Sequence, residues 1–199
     1  MTFCPEPGQG SASGCDDFGG PDNGGVSFHV AAFIATSLDG YIAREDGSID
    51  WLTRRAEQAG DTGYDQFMAS VDTVVVGRKT YELARTFGFW PYEGKQVEVL
   101  STTLDPGADD RVLVHRTLDA LVETLDDRGA KRVYVDGAST IQTFLKAGLL
   151  NELTITTAPV LLGAGISLFG PLDDEISLTH NATRTLNAGF VQSDYSVRR

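Results

Sequence analysis

From Phe28 onward, apolar residues alternate between two rhythms: short continuous runs suited to buried strands, and the 3.6-residue spacing of amphipathic helices. Phe28 to Ala35 reads as a first buried strand. Asp39-Gly40 turns the chain, and Ala43 to Trp51 reads as a polar loop containing Asp46-Gly47. Asp61-Thr62 can cap a helix whose Tyr64, Phe67, Met68 and Val71 fall at i, i+3, i+4 and i+7. Val74–Val76 is a strand, and Thr80 reads as the N-cap of a helix over Tyr81–Arg85. Strands at Val97–Leu100 and Val112–Val114 flank a Pro106-Gly107 turn, and Thr117 opens a helix carrying Leu118, Leu121, Val122 and Leu125. After the strand Arg132–Val135, Ser139-Thr140-Ile141-Gln142 has the form of a capping box, and Gly148 ends the helix. Beyond Asn151 three strands follow without helices: Leu153–Leu161, 176–186 and 190–197, the last two joined at Asn187-Ala188-Gly189. Alternating β and α elements imply a mainly parallel sheet, and the closing pair implies an antiparallel edge.

Composition narrows the reading. Seven of the 22 glycines lie in the first 25 residues with Pro5, Pro7 and Pro21, so residues 1–26 are expected to form a disordered tail. Residues 27–199 then make one domain, long enough for a full core. No apolar run approaches the roughly 20 residues of a membrane helix. The first basic residue is Arg44, so the tail lacks the character of a targeting peptide. Cys4 and Cys15 both lie in that tail, which points to no metal site and to a reducing, cytoplasmic setting. A net charge of −12 argues against a nucleic-acid partner. His29, His115 and His180 are scattered and form no catalytic pattern.

The chemistry gathers at strand ends. Val76-Gly77-Arg78-Lys79-Thr80, Leu100-Ser101-Thr102 and Val135-Asp136-Gly137-Ala138-Ser139-Thr140 each deliver small, hydroxylic or cationic residues where a strand stops. In open α/β sheets ligands bind at that edge, and a helix start there offers free N–H groups to phosphate. Arg78 and Lys79 are unfavourable at a helix start unless an anion offsets them. Together these junctions suggest a phosphorylated dinucleotide.

The order of motifs resembles the dihydrofolate reductase superfamily, in the branch of the riboflavin-biosynthesis reductase domain and its small stand-alone relatives. The stretches that carry the likeness are Ala35–Ala43, Asp50-Trp51, Val76–Glu82, Leu100-Ser101, Asp136–Ser139 and Ala158–Gly165. The resemblance implies a three-layer α/β fold, a mostly parallel sheet flanked by helices with an antiparallel C-terminal hairpin. It also implies an NADPH-dependent reductase of a small heterocycle, pterin-like or pyrimidine-like.

Residue by residue, the resemblance places Ala35 and Ile42 at the nicotinamide. It places Gly77, Arg78, Lys79 and Thr80 at phosphate, with Arg78 near the adenosine 2′-phosphate. Ser101 and Thr102 fall on the adenosine side, and Gly137, Ala138, Ser139 and Thr140 at the pyrophosphate. Asp39, Trp51, Gly163 and Gly165 become substrate-side residues, and Asp61 or Asp65 the proton donor. Read from the residues alone, Asp39-Gly40 and Gly163–Gly165 are also structural turns, Trp51 is equally a core residue, and Asp61 and Asp65 are also ordinary helix-start acids. Asp136 departs from the glycine pair of dihydrofolate reductases, so its carboxylate must point away or cap the turn.

Two alternatives stay open: a riboflavin-pathway reductase acting on a ribosylaminouracil phosphate, and a non-catalytic NADPH-binding protein. Residues 151–183 hold no Lys or Arg, which counts against a phosphorylated substrate, and the zinc motif of the riboflavin deaminase half is absent. A homodimer is expected from the resemblance and from Ala158–Leu162, which reads as an apolar strand with spare surface.

Overall fold

A run of valines with no polar alternation needs cover on both faces, and the structure supplies it. Every residue of Thr73–Gly77 is buried, between parallel strands on either side and helices above and below. The computed structural model describes residues 25–107 and 109–198. The expected tail lies outside them over residues 1–24. Val26, read as its end, packs against the main core, and the Ser27 amide and hydroxyl both donate to Asp126.

The strands are β1 His29–Ser37, β2 Tyr41–Ala43, β3 Thr73–Gly77, β4 Gln96–Leu100, β5 Leu113–His115, β6 Arg132–Asp136, β7 Glu152–Ala158, β8 Ile166–Ser167, β9 Leu178–Thr185 and β10 Val191–Val197. The helices are α1 Asp50–Ala59, α2 Tyr64–Ser70, α3 Arg78–Ala84, α4 Leu118–Asp127 and α5 Ala138–Lys146. Eight strands form one sheet in the order β5-β4-β3-β6-β1-β7-β10-β9, and β2 pairs with β8 in a small ribbon. From β5 to β7 all neighbours are parallel, whereas β10 runs antiparallel to both β7 and β9.

Three layers result. One face of the sheet packs Val30, Ala32, Val75, Val133 and Val135 against Leu121 and Leu125 of α4 and Ile141, Phe144 and Leu145 of α5. The other face sets Val74, Val76, Val97 and Tyr134 against α2 and α3. A smaller core joins Trp51 and Ala59 of α1 to Ala158 and Phe190 beside the C-terminal hairpin. Among the described residues no helix is long and apolar enough to cross a membrane.

Several local expectations are corrected. Asp50 and Trp51, expected to end a loop, instead begin helix α1; its polar sequence buries only Trp51 and Ala59, too little to show as a stripe. Helix α3 starts at Arg78 with Gly77 as its N-cap, so Thr80 lies inside the first turn. The capping box does not form, because Gly137 takes the N-cap position and Gln142 donates instead to the Leu168 carbonyl. Asp61 caps no helix; it accepts the Gly63 amide at 2.7 Å, and α2 begins at Tyr64. Ala158–Leu162 is not a strand: β7 stops at Ala158, Pro159 has no N–H to extend the ladder, and the Val160 amide turns back to the Ala158 carbonyl. Thr117 does cap α4, accepting the Ala120 amide, and left-handed Gly148 follows α5 as expected.

Candidate active site

Because β3 and β6 are adjacent and parallel, the two strand-to-helix junctions that follow them lie side by side. They interlock through their glycines. A Cβ on Gly77 would press on the hydroxyls of Thr140 at 3.1 Å and Ser139 at 3.3 Å. A Cβ on Gly137 would collide with the Thr80 hydroxyl, and Gly137 also holds the left-handed φ of +89°. Each junction therefore occupies the space that the other's missing side chain leaves.

A cleft of about 1250 Å³ opens at this carboxyl edge. All twelve residues assigned to the cofactor line it: Ala35 and Ile42, Gly77 to Thr80, Ser101 and Thr102, and Gly137 to Thr140. The structure qualifies two of these roles. Arg78 pairs with Glu82 at 2.9 Å, so its charge at the helix start already has a counter-ion. The Ser101 hydroxyl accepts the Thr103 and Leu104 amides and so shapes the turn after β4. Arg116, unmarked in the sequence, adds a third cation to the lining and donates to the Ser101 carbonyl at 3.0 Å.

The other assignments fall elsewhere. Asp61 and Asp65 are exposed and off the cleft, whose wall there is made by Thr62 and Tyr64. Trp51 is 1% exposed and belongs to the small core. Asp39 accepts the Ser37 hydroxyl at 2.6 Å and the amides of Leu162 and Gly163, and these bonds hold its carboxyl down at about 2. It pins the loop before β8 to the β1–β2 turn. Gly165 lets that loop approach the Ala43 carbonyl, where any Cβ would collide, so that β8 can pair with β2. Asp39, Gly163 and Gly165 thus support Ile42 and Ile166 on the cleft wall without lining it themselves.

Among the described residues three acids line the cleft, Asp46, Glu82 and Asp136, and of these only Asp136 is enclosed by aromatic side chains. Asp136, at the end of β6, accepts the Gly137 amide at 2.8 Å and the Tyr92 hydroxyl at 3.3 Å. It caps the turn, as electrostatics demanded, yet it stays on the lining. Burial raises its pKa, opposed by the bonds from Gly137, Tyr92 and Tyr134. Three tyrosines on the lining are shifted with it: burial, then the Asp136 charge, pushes Tyr64 up to about 12 and raises Tyr92 and Tyr134 further. The cluster is a half-buried carboxyl in an aromatic box, a setting that favours the neutral acid. In the sequence Asp136 is marked only as a turn residue; the pattern Tyr-Val-Asp, with Tyr92 far along the chain, gives no sign that burial tunes it.

Beyond Asp136 the wall is apolar and aromatic: Phe33, Tyr64, Tyr134, Phe190, Ile49 at the N-cap of α1 and, from α1 itself, Leu52, Ala56 and Ala59. Thr62 and Thr156 are its polar points, both held by Gln192, whose amide donates to the Thr156 hydroxyl at 2.8 Å and the Thr62 carbonyl at 3.1 Å.

Comparison with known proteins places this architecture. The uncharacterized protein YwjB of Bacillus subtilis is 38% identical over 155 residues, covering 76% of this chain and 88% of the relative. The crystal structure of a Shewanella sp. PV-4 protein named for riboflavin biosynthesis superposes with a TM-score of 0.78 at 38% identity, over 86% of this chain and all of the other. Dihydrofolate reductase from Enterococcus faecalis, complexed with NADP(H), shares the fold at TM-score 0.58 and 18% identity, over 87% and 99% of the two chains. The mostly parallel sheet, its flanking helices and its antiparallel C-terminal hairpin are those of the dihydrofolate-reductase-like fold. Residues 28–192 match the model of the RibD C-terminal domain, and the chain belongs to that family.

Proposed function

We propose that this protein is an NADPH-dependent reductase of a small heterocyclic substrate, pterin-like or pyrimidine-like. The observation that carries the reading is the interlocked pair of glycine junctions at one cleft. Gly77 and Gly137 let the two junctions close on each other, which gathers the first-turn N–H groups and hydroxyls of α3 and α5 at one cleft edge, where a dinucleotide phosphate would find its donors. The residues present fit the group. Gly137, Ala138, Ser139 and Thr140 would hold the pyrophosphate against the first turn of α5. Arg78, Lys79 and Arg116 would take further phosphate charge, with Arg78 exchanging its Glu82 partner for it.

When bound, the nicotinamide supplies a hydride to the substrate. Ala35 and Ile42, with Ile166 from β8, form the wall beside it and exclude water. The accompanying proton is the task of Asp136, which lies on the cleft and is biased by burial toward its protonated form. Tyr92 and Tyr134 keep that carboxyl in place. This replaces Asp61 and Asp65, which are exposed on the outer side of the α1–α2 segment. Membership of the RibD C-terminal family favours a second reading, a riboflavin-pathway reductase acting on a ribosylaminouracil phosphate.

An NADPH titration followed by a panel of pterins, iminopyrimidines and ribosylaminouracils tests the proposal. Saturable NADPH binding and substrate-dependent loss of nicotinamide absorbance are expected. A protein that ignores NADPH at millimolar concentration would refute it, and tight binding without oxidation of any panel member would make the protein a non-catalytic NADPH binder.

A further inference from the structure

Charge is distributed unevenly in the cleft. Among the described residues its cations are Arg78, Lys79 and Arg116, all carried by the junction after β3 or the segment after β5. The half walled by α1, Tyr64, Tyr134 and Phe190 has none. What it does carry is acidic, Asp46 and Asp136. We propose that this half selects substrates that bear no phosphate or carboxylate: an uncharged, flat heterocycle enters, and a phosphorylated one is rejected. The substrate class deepens the reductase reading and rests on it for the hydride step, but the selectivity is a property of the wall itself.

The basic residues on the surrounding segments do not supply the missing charge. Arg44 and Arg54 both bind Asp50, at 2.6 Å and 2.5 Å. Arg55 donates to the Trp51 carbonyl at 2.8 Å, at the foot of its own helix. Arg184 comes nearest in connectivity, yet its guanidinium is spent on the Thr62 carbonyl at 2.6 Å and on Gln192, and it is not part of the lining. Lys95 donates to the Val71 carbonyl and Arg85 lies over the Tyr81 ring. Residues 1–24 contain neither Lys nor Arg.

A phosphate dianion brought against this wall would lose water and meet no compensating donor pair, the most costly form of desolvation. Asp46 adds repulsion, because the Ser48 amide and hydroxyl hold its pKa below the usual range. An uncharged ring meets the opposite conditions. Phe33, Tyr64 and Tyr134 give it aromatic faces and edges, and Leu52 and Ala56 an apolar floor. The Thr156 hydroxyl can hydrogen-bond a ring nitrogen or carbonyl, because Gln192 fixes it from behind.

The test uses a matched pair, 5-amino-6-(ribosylamino)uracil and its 5′-phosphate, together with 6,7-dimethyldihydropterin. Binding to the full chain is measured by calorimetry, with and without NADP+. The uncharged members should bind at least about tenfold tighter than the phosphate ester. In Ala56→Arg, a substitution on an exposed helical position that loses no packing, the phosphate ester should gain and the preference shrink or invert. A wild-type preference for the phosphate ester would overturn the proposal, as would failure of both uncharged compounds to bind at millimolar concentration. NADPH oxidation, read separately, addresses the reductase reading. Uncharged compounds that bind but are not reduced would end that reading and leave the selectivity standing.

Discussion

The two strand-to-helix junctions are built alike and charged oppositely. Both end a buried parallel strand, both place a glycine at the N-cap, and both turn straight into a helix. After β3 the glycine is in ordinary extended conformation, φ −83°, and two cations follow it. After β6 the glycine is left-handed, φ +89°, a carboxylate precedes it and no cation follows for eight residues. The first junction can offer charge to a phosphate, the second only backbone and hydroxyls. An acid can therefore sit at the second without a salt bridge to neutralise it, and burial leaves it available for proton chemistry.

Experiments that separate the junctions should differ in size. The largest effect is expected for Asp136→Asn, with turnover at neutral pH falling by about 100-fold or more while NADPH affinity holds, as removal of a general acid does. Single-turnover oxidation measures it, and an unchanged rate would return the proton to solvent. The same variant carries a pH signature. A carboxyl whose folded pKa is raised above 3.8 contributes stability below its unfolded value and loses it as pH rises through the folded value. Asp136→Asn should therefore flatten the stability profile above about pH 4 in urea denaturation.

Gly137→Ala comes next. The left-handed φ and the Thr80 hydroxyl together should cost about 2 kcal/mol of stability and abolish the thermal shift produced by NADPH. Thr80→Ala in that background should recover the steric part and leave the conformational part. Arg78→Ala should weaken NADPH by about tenfold and NADH little, since one charge-assisted phosphate contact is lost. Equal losses for both cofactors would mean that Arg78 remains with Glu82 and does not read the extra phosphate. Gly77→Ala should cost under about 1 kcal/mol, because its φ suits any residue and the Thr140 hydroxyl need shift only slightly. If it proved as damaging as Gly137→Ala, the asymmetry between the junctions would be wrong.

A smaller effect, outside both junctions, is expected at Asp39. Its carboxyl is lowered to about 2 by the Ser37 hydroxyl and the Gly163 and Leu162 amides. That interaction helps the fold above the unfolded value of 3.8 and is lost as pH falls toward 2. Asp39→Asn should lower stability modestly at neutral pH, converge with the wild type as pH falls toward 2, increase amide exchange at Leu162 and Gly163, and so remove this component of acid sensitivity.

The sequence and the structure agree best where local pattern and burial coincide. The valines of β3 and β6 and the leucines of α4 announced their elements because each is covered on the side its spacing implies. Agreement failed at α1, where Leu52 and Ala56 line the cleft, only Trp51 and Ala59 are buried, and the helix looks polar by count. It failed again at Ser139 and Gln142, whose capping-box spacing was real but where Gly137 takes the N-cap and Gln142 donates across the fold to the Leu168 carbonyl.

What the chain determines by itself is the succession of strands and helices and the small residues at their ends. Periodicity and backbone freedom are properties of neighbours in sequence. The register of β3 against β6, which presses Gly77 on Thr140 and Gly137 on Thr80, comes only from the folded sheet. So does the enclosure of Asp136 by tyrosines 44 and 2 residues away, Tyr92 and Tyr134. A carboxyl's pKa depends on everything that displaces water around it, and that surrounding is assembled from segments that meet nowhere but in three dimensions.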